Sequence, residues 1–214
     1  ITHENFDHAS ANDYFEKRGG VVIASQGCLD ALADDGDAKF AEMAGRSPEL
    51  FERYPGLKMR LPHIVFATGL TVKLPGATVY LRHYDQSHSR GDSTAYFAEE
   101  EIFFAGDLLY TNYHPVTIYG RIDRWAKTLG ELKEVRYSKI VPGHGPCGGT
   151  LEIGRHQTES FQRYLEEFYR RLDEAKTGRK SAQQIVDETC EAYPSFGKRW
   201  MVKRNVEYFL GHEP

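Results

Sequence analysis

Four side chains able to bind a metal ion, His3, Asn5, Asp7 and His8, fall within the run Ile1-Thr2-His3-Glu4-Asn5-Phe6-Asp7-His8. On an extended segment His3 and Asn5 share a face, and Asp7 and His8 follow on the turn into the next helix. Imidazole and carboxylate are donors that zinc takes readily; an amide oxygen is harder and weaker. Three further donors each stand where a strand-like run stops. His88 opens the segment His88-Ser89-Arg90-Gly91-Asp92 after the run Thr78 to Tyr84. Asp107 closes Phe103-Phe104-Ala105-Gly106-Asp107, and His144 lies in the turn Val141-Pro142-Gly143-His144-Gly145-Pro146.

The order, spacing and flanking residues of these pieces resemble the metallo-β-lactamase superfamily. Its sites use an HxHxDH segment, then a His, an Asp after a strand ending in Gly, and a His in a PGHG-like loop. The resemblance covers nearly the whole chain and implies an α/β fold, a four-layer αββα sandwich with the metal ligands along one edge. Residue by residue, it implies that His3 and His88 hold one ion, that Asp7, His8 and His144 hold a second, and that Asp107 bridges them. Asn5 stands where the family has its second histidine, so the first site is expected to bind metal more weakly while the second keeps its full set.

The implied cofactor is zinc, one or two ions per fold. Bound zinc lowers the pKa of water to about 7, and the implied reaction is attack of the resulting hydroxide on an ester, thioester, lactone or amide, a β-lactam among them. Asp7 and Asp107 are the expected catalytic carboxylates. Asp107 would fix the separation of the ions, and Asp7 would orient the hydroxide from a helix N-terminus that favours its ionised form. Two other readings stand beside this one. His3, His88 and Asp107 alone form a two-histidine, one-carboxylate set suited to mononuclear iron, as in the thiol dioxygenases the superfamily includes, but that set leaves Asp7, His8 and His144 without a task. A non-catalytic binding protein with a degraded first site rests on Asn5 alone.

The elements that must position these residues follow from pattern. His8 to Arg18 suits a helix stopped by Gly19-Gly20, ahead of the β-branched run Val21-Val22-Ile23. Leu29 to Ala44 reads as a helix interrupted near Asp35-Gly36, and Ser47 to Leu61, with its prolines, as a surface connection that in the family helps roof the site. Strand patterns return at Leu70 to Leu74, Thr78 to Tyr84, Thr94 to Ala98 and Ile102 to Ala105, with antiparallel spacing. Asp123 to Leu132 is helical, and Lys139 to Val141 is a short buried strand leading to His144. Residues 1–150 are thus read as the catalytic domain and 151–214 as its helical extension. In that extension Phe161, Tyr164, Leu165, Phe168 and Leu172 recur at helical spacing, with further helices around Ile185 and from Met201 to Phe209.

The residues between Asp107 and Arg121 are expected to form a loop in which Tyr110, Tyr113, His114 and Tyr119 shape a substrate pocket. His63, His83, His114, His156 and His212 have no ligand motif around them and read as surface or supporting histidines, not as ligands. In the superfamily several strands precede the ligand segment, so an N-terminal fragment completing the fold is an expected partner, since a strand without neighbours exposes unpaired backbone.

Composition narrows the partners. The 27 basic residues are outnumbered by 31 acidic ones, giving a net charge of -4 without a basic stripe, which argues against nucleic acid and leaves a small-molecule substrate. No apolar run approaches the ~18 residues of a membrane span, so membrane insertion is not expected. The three cysteines, Cys28, Cys147 and Cys190, are far apart and lack CxxC spacing, so they imply neither a disulfide framework nor a zinc knuckle. Cys147, three residues past His144, is expected near the mouth of the site.

Overall fold

The computed structural model describes residues 1–211. Its first helical stretch is split in two, α1 (Phe6–Ala9) and α2 (Asn12–Glu16), where the sequence predicts one helix. The break re-aims α2 so that buried Asn12 reaches the Arg60 carbonyl and buried Asp13 pairs with Lys17 and Arg60. Asp7 and His8 consequently lie inside α1, not on a turn leading into a helix.

β1 (Ile23–Ser25) and β2 (Ile64–Phe66) pair in parallel through a long crossover. The crossover begins with α3 (Gln26–Arg46), whose first turn is capped by the Ser25 side chain accepting from the Cys28 amide. α3 runs unbroken through Asp35-Gly36, contrary to the interruption expected there. Its buried residues Cys28, Ala31, Leu32, Gly36 and Phe40 keep helical spacing, and Gly36 lies where a Cβ would press on the Met59 side chain. Close packing thus offsets the ~1 kcal/mol that a helical glycine costs. α4 (Pro48–Arg53), with proline in its first turn, adds a short helix to the connection read as irregular.

The larger sheet holds β3 (Gly69–Leu74), β4 (Ala77–His83), β5 (Ser93–Phe97), β6 (Ile102–Tyr110) and β7 (Lys139–His144), hydrogen-bonded in that order. The first four are antiparallel, and β7 returns parallel to β6 after α5 (Ile122–Leu132). β6 continues past Asp107 to Tyr110, so the acid does not end the strand. Its register against β7 shifts on either side of Gly106, which adopts φ 56°, and Asp107 sits in this irregular stretch.

α6 (Leu151–Lys176), α7 (Ala182–Ala192) and α8 (Trp200–Gly211) complete the chain. α5 and α6 pack on β6 and β7 over a core that includes Trp125, Leu129, Phe161, Tyr164 and Phe168, all buried. Each such apolar side chain contributes roughly 1.5–3 kcal/mol on leaving water. α3 covers the small sheet. Between the sheets lies an apolar groove of about 520 Å³, lined by Ile23 and Phe66 from one sheet and Val72, Val79, Leu81 and Phe104 from the other. The layers therefore run helix, sheet, sheet, helix. No helix among the described residues is long and apolar enough to cross a membrane.

Candidate metal centre

Four imidazoles surround one carboxylate in the second half of β6. Nε2 of His8 lies 3.1 Å from Asp107 Oδ1, while Nε2 of His88, His144 and His3 lie 3.3, 3.4 and 3.7 Å from Oδ2. Asp7 joins from the solvent side, with Oδ2 3.2 Å from His144 Nε2 and 3.6 Å from His8 Nε2. Two nitrogen or oxygen ligands of one tetrahedral zinc stand about 3.4 Å apart, and these separations bracket that value.

The donors arrive on several different elements. His3 precedes α1, Asp7 and His8 lie in it, His88 follows β4, Asp107 is in β6 and His144 closes β7. Gly143 makes room for the acid: a Cβ there would overlap Oδ1 of Asp107. This explains the glycine before His144 in the Pro142-Gly143-His144 turn.

Two close sets of donors emerge, His3 with His8 and Asp107, and Asp7 with His8 and His144. His8 belongs to both, whereas the family pattern assigns it to the second ion alone. The short α1 folds its ring back over that of His3, with centroids 4.2 Å apart. His88 meets Asn5 instead, the Asn5 amide Nδ2 donating to Nε2 at 3.0 Å.

Burial lowers His3 and His88 below the ordinary histidine value, His3 markedly, which favours the neutral ring. Burial alone would raise Asp107, yet the charges and hydrogen bonds of His88, His144 and His8 hold it well below the carboxylate range. His3 Nε2 is buried without a hydrogen-bond partner, 3.7 Å from Asp107 Oδ2. A ring nitrogen that turns its lone pair to an ionised oxygen is electrostatically unfavourable unless a cation stands between them. The donor set fits a divalent transition metal on these grounds. His144 is raised to about 9 by hydrogen bonds to Asp107 and Asp7, another sign of how strongly the two carboxylates attract positive charge.

Residues with no ligand signature hold this cluster in place. Asp92 is buried and accepts from the His88 amide at 2.5 Å, the Ser89 amide at 2.9 Å and the Ser89 hydroxyl at 2.7 Å. Glu4, also buried, accepts from the Arg90 and Gly91 amides and the Ser89 hydroxyl, tying the first segment to the His88 loop. His83 contacts the Asp92 carbonyl at 2.9 Å. The Tyr110 hydroxyl donates to Asp107 Oδ2. The acidic residues beside the histidines were visible in the sequence, but their inward orientation depends on the fold.

A cavity of about 530 Å³ opens over the cluster, and Asn5, Asp7, Asp107 and His144 line its floor. The expected pocket residues Tyr113, His114 and Tyr119 line it, as does Tyr110, although Tyr110 belongs to β6 and not to a loop. His114 is buried, with Nδ1 3.0 Å from the Tyr164 hydroxyl, and burial lowers it to about 4. Lys39, Arg46, Lys198 and Arg204, which carried no sequence signal, also line the cavity. Cys147 is exposed and is not among the lining residues, Cys28 and Cys190 are buried, and all three are free thiols. His63 accepts from the Val22 amide, His156 is exposed, and His212 lies outside the described residues.

An αββα sandwich with histidines and carboxylates gathered at one end of its larger sheet defines a class of metal-site proteins. The profile of the metallo-beta-lactamase superfamily matches residues 1–144, and the chain belongs to that superfamily. Solved structures similar to it include a metallo-beta-lactamase from Pontibacter korlensis, at 18% identity and TM-score 0.59, covering 76% of this chain and 66% of that one. A metallo-beta-lactamase family protein from Thermus thermophilus is 19% identical with TM-score 0.63, covering 98% of this chain and 72% of that one. A double mutant of the sec-alkyl sulfatase PisA1 is 13% identical with TM-score 0.70, covering 100% of this chain but 41% of its own. Among curated protein sequences none matches.

Proposed function

We propose that this chain is a zinc-dependent hydrolase acting on an ester, thioester, lactone or amide of a small molecule. The observation that carries the reading is the convergence of His3, His8, His88 and His144 on Asp107, with His3 Nε2 buried and unpartnered. His3 and His88, with the Asn5 amide, would hold one zinc ion; Asp7, His8 and His144 would hold another, and Asp107 would be shared. Bound there, zinc supplies a Lewis acid and lowers the pKa of water towards neutrality.

The chain's own groups do the rest. Asp7 is pushed up by burial, but the hydrogen bond from His144 and the charge of His8 outweigh this and hold it below its ordinary value. It is therefore ionised at neutral pH, and its carboxylate can orient a water at the cavity floor. Tyr110 donates to Asp107 and fixes the direction of its remaining lone pairs. The walls from Phe6, Met43, Tyr113 and Tyr119 exclude solvent from a bound substrate.

Metal content of the purified protein, followed by a panel of chromogenic esters, thioesters, lactones and β-lactams, tests the reading. Sulfate esters join the panel because PisA1 is a sulfatase. Zinc at one or two per chain with turnover of a panel member is the expected result. A single iron would favour the dioxygenase reading, and a metal-free protein without turnover would leave the binding-protein reading.

A further inference from the structure

We propose that the cavity takes a substrate with an apolar body and an oxyanion group, carboxylate, sulfate or phosphate, and that Lys198 and Arg204 bind that group. The inference deepens the hydrolase reading and rests on it only for where the reacting bond lies.

The charges lining the cavity do not balance once their partners are assigned. Arg46 is tied to Glu42 at 2.6 Å and Lys39 to Asp35 at 3.0 Å. Asp7 and Asp107 belong to the histidine cluster on the floor. Lys198 and Arg204 also line the cavity but form no ion pair among the described residues. Lys198 Nζ makes only a distant approach to the Tyr113 ring, 5.8 Å from its centroid. Two cations without counter-charges thus face the same space as the metal cluster, and bound zinc would make that space more positive still.

These cations are placed, not loosely tethered. Gly197 donates to the Asn112 carbonyl at 2.8 Å and accepts from the His114 amide at 3.1 Å, stitching the segment before α8 to the cavity loop. Gly197 also packs so closely on the Tyr113 ring that a Cβ would meet it at 2.7 Å. Lys198 follows with φ 60°, a left-handed conformation that a lysine adopts only where its surroundings impose it. On α8, buried Asn205 donates to the Pro115 carbonyl at 2.7 Å and accepts from the Thr117 amide at 3.2 Å. This bond pair fixes the rotation of the helix, so Trp200, Met201 and Arg204 together face the cavity.

A further polar group in the wall completes the match to a polar ligand. His114 is 1% exposed and its Nε2 has no hydrogen-bond partner. The rest of the wall supplies apolar and aromatic surface from Met43, Val116, Trp200 and Met201. An apolar chain ending in an oxyanion satisfies both kinds of surface; a neutral or cationic ligand leaves Lys198 and Arg204 without a counter-charge.

Calorimetric titration of the protein as isolated, with its zinc content measured, provides the test. The probes are hexanoate, hexyl sulfate, hexyl phosphate and neutral hexanol, each with wild type, Lys198→Gln, Arg204→Gln, the double variant and Arg204→Glu. At least one anion should bind about tenfold or more tighter than hexanol, and the preference should weaken with salt. Each Gln variant should reduce it several-fold, the double variant should abolish it, and hexanol binding should not change. The ranking of carboxylate, sulfate and phosphate identifies the group. Equal affinity for anions and hexanol, or a preference that survives the double variant, overturns the proposal. Both rim positions are on the surface or half-buried, and unchanged melting temperatures keep a folding defect from imitating the result. Binding needs no turnover, so failure of every substrate assay would sink the hydrolase reading without deciding this one.

Discussion

The two halves of the histidine cluster are built on opposite plans. The His3 and His88 side chains are 1% and 0% exposed, and the His88 loop is clasped by two buried acids, Asp92 and Glu4. Asp7, His8 and His144 are 56%, 17% and 28% exposed, and Asp7 and His144 line the cavity. On the proposed ligand assignment the closed half has rigid support but poorer donors, since Asn5 would offer a neutral amide where the superfamily pattern has imidazole. The open half has one more carboxylate and looser support. Rigidity and donor strength are therefore separated within one site, and each can be perturbed alone.

The largest effect should come from Asp107, the carboxylate on which both halves converge. Asp107→Asn keeps the shape but removes the charge that four histidines surround, so zinc binding should weaken in both halves. A loss of at least 100-fold is expected, the upper end of what outer partners of a ligand cost. Competition against a chromogenic chelator measures it. Retention of one tight zinc by the variant would show that Asp107 serves a single half.

Support for the closed half comes next. Asp92→Ala strips three hydrogen bonds from the His88 loop and leaves two buried amides without their acceptor. Destabilisation of about 3 kcal/mol should appear in urea melts. Metal affinity should fall 10- to 100-fold, and selectively in the closed half. An equal loss in both halves would mean that Asp92 acts on the fold as a whole.

How much of this was legible in the sequence depended on whether a signal was local. His88, Asp107 and His144 stood out because each sits in its own strand-and-turn signature, and the aromatic period of α6 foretold its buried face correctly. The reading of α3 as interrupted failed because Asp35-Gly36 looks like a breaker until Met59, from a later segment, is packed on Gly36. The extension of β6 past Asp107 was hidden by Gly106, which bends the strand without ending it. Glu4 and Asp92 were readable as acids but not as clasps, because that role requires the first segment to meet a loop more than eighty residues away. Lys198 and Arg204 had no local signature, since only folding brings α8 over the cavity.

Donor strength in the closed half is probed by Asn5→His. In the wild type, chelation should empty the His3 and His88 half first, because two imidazoles and an amide compete poorly with Asp7, His8, His144 and a shared Asp107. The Asn5 amide presents its Nδ2 to His88, and its oxygen must be turned inward to serve as a ligand at all. A histidine at position 5 should raise affinity for the first ion about tenfold and increase turnover more than substrate affinity, because polarisation matters most as charge builds in the transition state. Zinc counts and rates on a responsive substrate check both. Full occupancy with an unchanged or lower rate would make Asn5 a functional part of the site and would overturn the two-ion account.

The smallest effect is expected where the halves meet through Tyr110. Its hydroxyl donates to Asp107 Oδ2 while its ring packs against His144 and Phe161, so Tyr110→Phe removes one hydrogen bond and leaves the packing in place. Stability should fall by about 1 kcal/mol, the net worth of a hydrogen bond. The consequence for metal follows from the oxygen that is freed. Oδ2 is the atom nearest His3, His88 and His144, so losing its donor makes it more basic but less fixed in direction. Fixed direction dominates when several ligands must converge, and a loss of about tenfold in zinc affinity, shared by both halves, is expected. Chelator competition on the variant decides the balance: tighter binding would show that basicity outweighs orientation at this carboxylate.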